Sequence, residues 1–195
     1  MNSKRPLANF LESFIHFSEE EMNLITESFE VEKISKRQKL LESGKVCKEY
    51  FFVVRGCFRM YGIDDRGFEH NIQFAAQNDW IADISSFYTG KPSLLNIESL
   101  ETSEILKIHQ KDLYRLFEKI PKINRVFKVT IEHKYIELQN RVMQTFSSTA
   151  DQRYLDFLEQ YPSLSNRLPN TQIASYLGIT PEFLSKIRKN LTNKG

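Results

Sequence analysis

Apolar positions change their spacing twice along this chain. Residues 5–28, which include LANFLESFIHFSEEEMNLITES, read as helical, and Ser18 followed three positions later by Glu21 is a capping box that predicts a helix through Ile25. From Phe29 the texture becomes a series of short β-prone runs, FEVEKI, KLLESG, EYFFVVRG, CFRMYGID and FEHNIQF, each bounded by glycine, aspartate or a charge cluster. Further runs at 94–100 and 104–108 extend the series. Short strands at close intervals predict a barrel or roll. Between two of them, DDRG at 64–67 predicts a hairpin turn, with Gly67 in backbone angles that other residues avoid.

After Gln110 the helical period returns. Apolar residues at 123, 127, 131, 135, 138, 142 and 146 form a single stripe on one long helix, roughly 35 Å at about 1.5 Å of rise per residue. Such a stripe either packs wholly on its own barrel or meets a partner helix. The polar flanks His133, Lys134 and Glu137 favour a two-helix seam. SSTAD at 147–151 then predicts a hinge: Ser147 and Ser148 are poor helix residues, and Thr149 with Gln152 reads as a second capping box. The next helix runs to Tyr161, where Pro162 halts it, and the domain boundary is expected at the 147–151 hinge before it.

TQIASYLGITPEFLSKIRKNL at 171–191 divides at Gly178, the residue best able to adopt the left-handed conformation that ends a helix. Thr180 as N-cap and Pro181 at the first helical position start another helix almost at once. Leu184, Ile187 and Leu191 then fall on one face, with Glu182, Ser185, Lys186 and Lys189 on the other. Ala174 is small enough to let the helices cross closely, and Ile179 is suited to plug the corner. This spacing predicts a helix-turn-helix.

Such a pair is either a DNA-reading unit or an ordinary helical hairpin, and charge favours the first. From residue 166 there are five basic residues, Arg167, Lys186, Arg188, Lys189 and Lys194, against Glu182 alone, whereas the rest carries 22 basic and 24 acidic residues. A basic terminus on a near-neutral body suits a polyanionic partner. No apolar run approaches the roughly 20 residues of a membrane span, and MNSKRPLANF lacks an apolar signal core, so a cytoplasmic protein without a membrane partner is expected. Cys47 and Cys57 are too few for a four-thiolate cluster and lie in apolar runs, which predicts buried thiols. His16, His70, His109 and His133 show no close ligand spacing, so neither a metal nor another cofactor is expected. The chain has no nucleophile elbow, phosphate loop or zinc helix, which argues against an enzyme.

The segments LLESGKVCKEYFFVVRGCFRMYGIDDRGFE, with glycines 44, 56 and 67, and LPNTQIASYLGITPEFLSKIRKNL together resemble the Crp/Fnr family of bacterial transcription regulators. The resemblance covers almost the whole chain. It implies an α+β fold with a cyclic-nucleotide-binding-like β-roll (jelly roll) at 1–120, a dimerisation helix at 121–146 and a helix-turn-helix domain at 147–195. The implied partners are a second copy of the chain, a palindromic DNA operator, a small-molecule effector of unknown identity and RNA polymerase. In cyclic-AMP-binding members a Gly-Glu pair holds the ribose and an Arg-Ser pair, about ten residues on, holds the phosphate. In WIADISSFYTGKPSLLNI, Ala82 and Asp83 replace the first pair, and Ser93 and Leu94 replace the second. Asp83, Ile84, Ser93 and Leu94 are therefore the expected effector-pocket residues, and loss of the cation argues against a cyclic nucleotide even if Lys91 approaches.

The second departure is the wing that family members usually place after the recognition helix, for which TNKG leaves no room. EFLSK resembles the Glu-x-x-Ser-Arg arrangement of the fumarate-nitrate regulator group, with lysine for arginine. The expected DNA-binding residues are Thr180, Glu182, Phe183, Ser185, Lys186, Arg188 and Lys189. Glu182, Ser185 and Lys186 carry donors and acceptors suited to base edges, and Arg188 and Lys189 suit phosphates. The expectation is a sequence-specific, homodimeric regulator. Its rival is a ligand-binding or protein-interaction module of the same fold that no longer reads DNA, for which Phe183 is the candidate apolar contact.

Overall fold

The computed structural model describes residues 3–192. Asn193–Gly195, on which the wing expectation and the charge of Lys194 fall, lie outside the described residues. The chain forms two compact units: one holds the chain up to Gly62 together with Gln73–Ile131, the other Ile63–Ile72 together with the chain from Glu132 onward.

The first unit opens with helices α1 (Arg5–Glu12) and α2 (Glu19–Glu27), separated where residues 13–18 leave the helical path. Both halves of the α2 capping box are made: Glu21 N–H donates to Ser18 Oγ at 3.2 Å, and Ser18 N–H to the Glu21 carboxylate at 2.7 Å. Strands follow as β1 (Glu30–Ile34), β2 (Lys39–Leu41), β3 (Glu49–Arg55), β4 (Cys57–Ile63), β5 (Glu69–Ala76) and β6 (Trp80–Ile81). After α3 (Ile84–Thr89) come β7 (Asn96–Ser99) and β8 (Ser103–His109). Two four-stranded sheets result, ordered β1-β8-β3-β6 and β2-β7-β4-β5. At the corner between β3 and β4, Gly56 has φ +113°, and a Cβ there would lie 2.0 Å from Ser103 Oγ. Only glycine fits that crossing.

Helix α4 (Gln110–Lys119) leads into α5 (Pro121–Ser147). The first turns of α5 bury Ile123, Val126 and Phe127, and Phe127 joins an aromatic cluster with Trp80 (centroids 5.0 Å apart) and Tyr50 (5.5 Å). Trp80 also meets Phe52 at 4.9 Å. The short β6 and the α3 turn are elements that the apolar spacing does not reveal. Cys47 and Cys57 are buried as expected, and burial pushes the Cys47 thiol up to about 11.

The second unit contains α6 (Ala150–Gln160), α7 (Asn170–Leu177) and α8 (Pro181–Thr192). Thr149 caps α6 by accepting from Gln152 N–H at 3.2 Å, but the Gln152 amide donates to Asp156 at 2.9 Å instead of reaching back. Half of that predicted box is therefore missing, because the glutamine finds a carboxylate acceptor one turn ahead. Phe157, Leu164, Ile173, Ala174, Leu184 and Ile187 are buried together with Tyr154, Tyr161 and Tyr176. No helix among the described residues is long and apolar enough to cross a membrane.

Candidate nucleic-acid interface and β-roll cassette

The corner between α7 and α8 is built by local chemistry. Gly178 adopts φ 67° and ψ 37°, so Ile179 N–H folds back onto the Ala174 carbonyl at 3.0 Å and closes the end of α7. Thr180 Oγ1 accepts from Phe183 N–H at 3.2 Å and starts α8 two residues later. Leu184 and Ile187 turn inward and are buried, and Ile179 at the corner is half-buried.

The opposite side of α8 presents Glu182, Ser185, Lys186 and Lys189 to solvent. Ser185 Oγ donates to the Pro181 carbonyl at 2.9 Å and accepts from Asn170 Nδ2 at 3.2 Å, which holds its hydroxyl at the outer surface. Phe183 is 46% exposed beside them. Arg188 differs from its neighbours on α8. Its guanidinium is half-buried, donates to the Ser165 carbonyl at 3.0 Å and lies 5.5 Å from the Tyr154 ring centroid, so it ties α8 to its own domain.

In the first unit, Asp83 and Ser93 come together, and Leu94 does not join them. Ser93 Oγ–H donates to Asp83 Oδ2 at 2.6 Å, while Asp83 Oδ1 accepts the N–H groups of Ser85 (3.0 Å) and Ser86 (3.3 Å) at the start of α3. Both side chains are buried, Ile84 is half-buried, and Leu94 is 84% exposed. Ser93 is further tied by its N–H to the Lys45 carbonyl (2.8 Å) and by its carbonyl to Gly44 N–H (2.7 Å). Ser86 Oγ donates to the Lys91 carbonyl at 2.6 Å and accepts Cys47 N–H at 2.9 Å. The acid is thus spent on neutral donors of its own chain, and a phosphate placed there would meet a buried carboxylate. A separate cleft of about 250 Å³, lined by Leu41, Val46, Cys47, Phe51 and His109 among others, contains none of the four expected pocket residues.

One residue with no sequence signal stands out in the second unit. Arg141, on the C-terminal half of α5, donates to the carbonyls of Asn71 (2.9 Å), Ile72 and Tyr176 (3.0 Å). Its partners are main-chain oxygens, which no side-chain motif announces.

Comparison with known proteins follows the same lines. Residues 31–120 match the model of the cyclic nucleotide-binding domain, which is the class that this roll defines. Over 176 residues the chain is 20% identical to the cAMP-activated global transcriptional regulator CRP of Salmonella typhimurium, covering 84% of this chain and 83% of that one. FixK2 from Bradyrhizobium japonicum superposes with a TM-score of 0.74 at 17% identity, covering 86% of each chain. The c-di-GMP responsive regulator CLP of Xanthomonas campestris gives 0.73 at 12% identity, covering 91% of this chain and 93% of its own. Residues 31–120 thus match a cyclic nucleotide-binding domain, and over most of its length the chain is similar in fold to regulators of the Crp/Fnr family.

Proposed function

We propose that the protein is a sequence-specific DNA-binding transcription regulator that acts as a homodimer and whose β-roll does not take a cyclic nucleotide. The observation that carries the reading is the outer face of α8, where Glu182, Ser185 and Lys186 are exposed over a buried apolar back. Glu182 is suited to accept from a cytosine amino group and Lys186 to donate to guanine O6 and N7, while Ser185 serves either role. Lys189 supplies a phosphate contact. The CRP relatives, described as transcriptional regulators, support the same reading.

The dimer is supported by the far half of α5, where Tyr135 (64%), Leu138 (46%), Val142 (49%) and Phe146 (81%) stay exposed along one stripe. In this reading residues 1–120 form the roll, 121–146 the dimerisation helix and 147–195 the DNA-reading domain. The closed Asp83–Ser93 cassette supports an effector other than cyclic AMP.

Selection of bound fragments from a random DNA pool tests the reading. An inverted repeat with half-sites about one helical turn, roughly 34 Å, apart is expected. Failure to enrich any motif would sink it. Light scattering of the Leu138→Glu variant is expected to report monomers, since the substitution buries a charge in the seam; a monomeric unmodified protein at micromolar concentration would overturn the dimer.

A further inference from the structure

Among the described residues, strand β5 is the edge of its sheet, so the outward N–H and C=O groups of residues 69–71 meet no neighbouring strand there. In the second unit these groups are taken by side chains. Asn71 N–H donates to Ser175 Oγ at 3.0 Å, and Ser175 Oγ–H donates to the Glu69 carbonyl at 2.7 Å. The Asn71 amide, whose side chain is 1% exposed, donates to both the main-chain and side-chain oxygens of Gln172 at 2.9 Å. Arg141 completes the arrangement from α5, with two nitrogens on the carbonyls of Asn71 and Ile72.

The third carbonyl that Arg141 takes belongs to Tyr176, in the last turn of α7. Carbonyls in a last turn lack partners within the helix, and a cation there is further favoured by the helix dipole. The guanidinium also stacks 3.9 Å from the Tyr176 ring centroid. A planar fork that serves three oxygens while lying on an aromatic face is arginine chemistry; an ammonium has neither the plane nor the reach.

Resting on the function proposed above, we infer that Arg141 is a positioning residue for DNA reading. It fixes α7 against the 69–72 segment and α5, and the Gly178–Thr180 corner transmits that pose to α8. Arg141 touches no base or phosphate in this role. Its contribution is to hold Glu182, Ser185 and Lys186 at one angle.

The test uses the full chain with Arg141→Met, which keeps the length of the stem and removes the fork, and Arg141→Lys, which keeps the charge. Two readouts separate the inference from the reading beneath it. Without DNA, amide hydrogen exchange at residues 69–72 and 171–178 is expected to accelerate about tenfold in Arg141→Met, with little rescue by lysine. With the DNA motif selected by the unmodified protein, affinity is expected to fall about tenfold, while affinity for a scrambled duplex and the salt dependence stay unchanged. Unchanged exchange and affinity would overturn the inference. So would equal losses on both duplexes with a shallower salt slope, the mark of a direct phosphate contact. If Arg141→Met does not fold, Ser175→Ala removes the acceptor of Asn71 N–H and is expected to act in the same direction with a smaller effect; no change there overturns the inference. If the unmodified protein enriches no motif, the regulator reading falls and the exchange result alone decides the clasp.

Discussion

The start of α3 and the outer face of α8 handle polarity in opposite ways. At α3, Asp83 is buried and accepts from Ser85, Ser86 and Ser93, so both oxygens of its carboxylate are answered by the same chain. On α8, Glu182, Lys186 and Lys189 stand in solvent above Leu184 and Ile187. A buried acid with neutral partners stabilises a loop and repels an anion. An exposed row of mixed charge costs little in the free protein and is available to a partner. In the function proposed above, recognition lies at the C-terminal end of the chain and the Asp83–Ser93 cassette serves as architecture.

The largest test removes the apolar back of the α8 face. Leu184→Ala is expected to destabilise the protein by about 2–5 kcal/mol in denaturant unfolding, because a fully buried side chain leaves a cavity. A loss below about 1 kcal/mol would mean that α8 is not seated as described. Next comes Lys186→Ala, expected to cost about 1–3 kcal/mol on the selected DNA and to relax preference at one base position. An unchanged motif would remove Lys186 from the reading face.

Asp83→Ala is expected to cost about 0.5–2 kcal/mol of stability through the lost cap, with DNA affinity unaffected. Saturable heat on titrating cyclic AMP into the unmodified protein would contradict the closed cassette. The smallest effect is expected from Lys189→Ala, which should weaken all duplexes alike and reduce the salt slope by about 0.9. A sequence-dependent loss instead would promote Lys189 to a base contact. The cassette neighbourhood also predicts inert chemistry at Cys47. With its thiol raised to about 11, the thiolate is scarce below that pH, so iodoacetamide at pH 8 should leave Cys47 unmodified in the folded protein.

What the sequence announced was local. The α7–α8 corner follows from Gly178, Thr180 and Pro181 within four positions, and the α2 cap from Ser18 and Glu21. Strand texture from Phe29 onward made the roll legible, although two-residue β6 and six-residue α3 are too short to carry a period. Positions 83 and 93 were legible as a cassette only through resemblance; that they bond to each other depends on the path of the intervening loop. Arg141 was hidden for another reason. Its acceptors are carbonyls 70, 69 and 35 residues away, and every residue has one. The α6 reading failed at Gln152 because an i,i+4 carboxylate competes with the cap, an outcome that spacing alone does not rank.

The crossing at Gly56 has a consequence for anyone diversifying this scaffold. A methyl group there would have to share space with Ser103 Oγ at 2.0 Å, in a backbone conformation that L-residues rarely adopt, whereas Gly44 and Gly67 have nothing within 4 Å of the added carbon. In a library of single-codon replacements, positions 44 and 67 should therefore return folded clones carrying asparagine or aspartate, which tolerate the left-handed region. Position 56 should return the parental codon alone, and trimming Ser103 to glycine or alanine would not release it, since the Ser103 main chain itself lies 2.9 Å from the site.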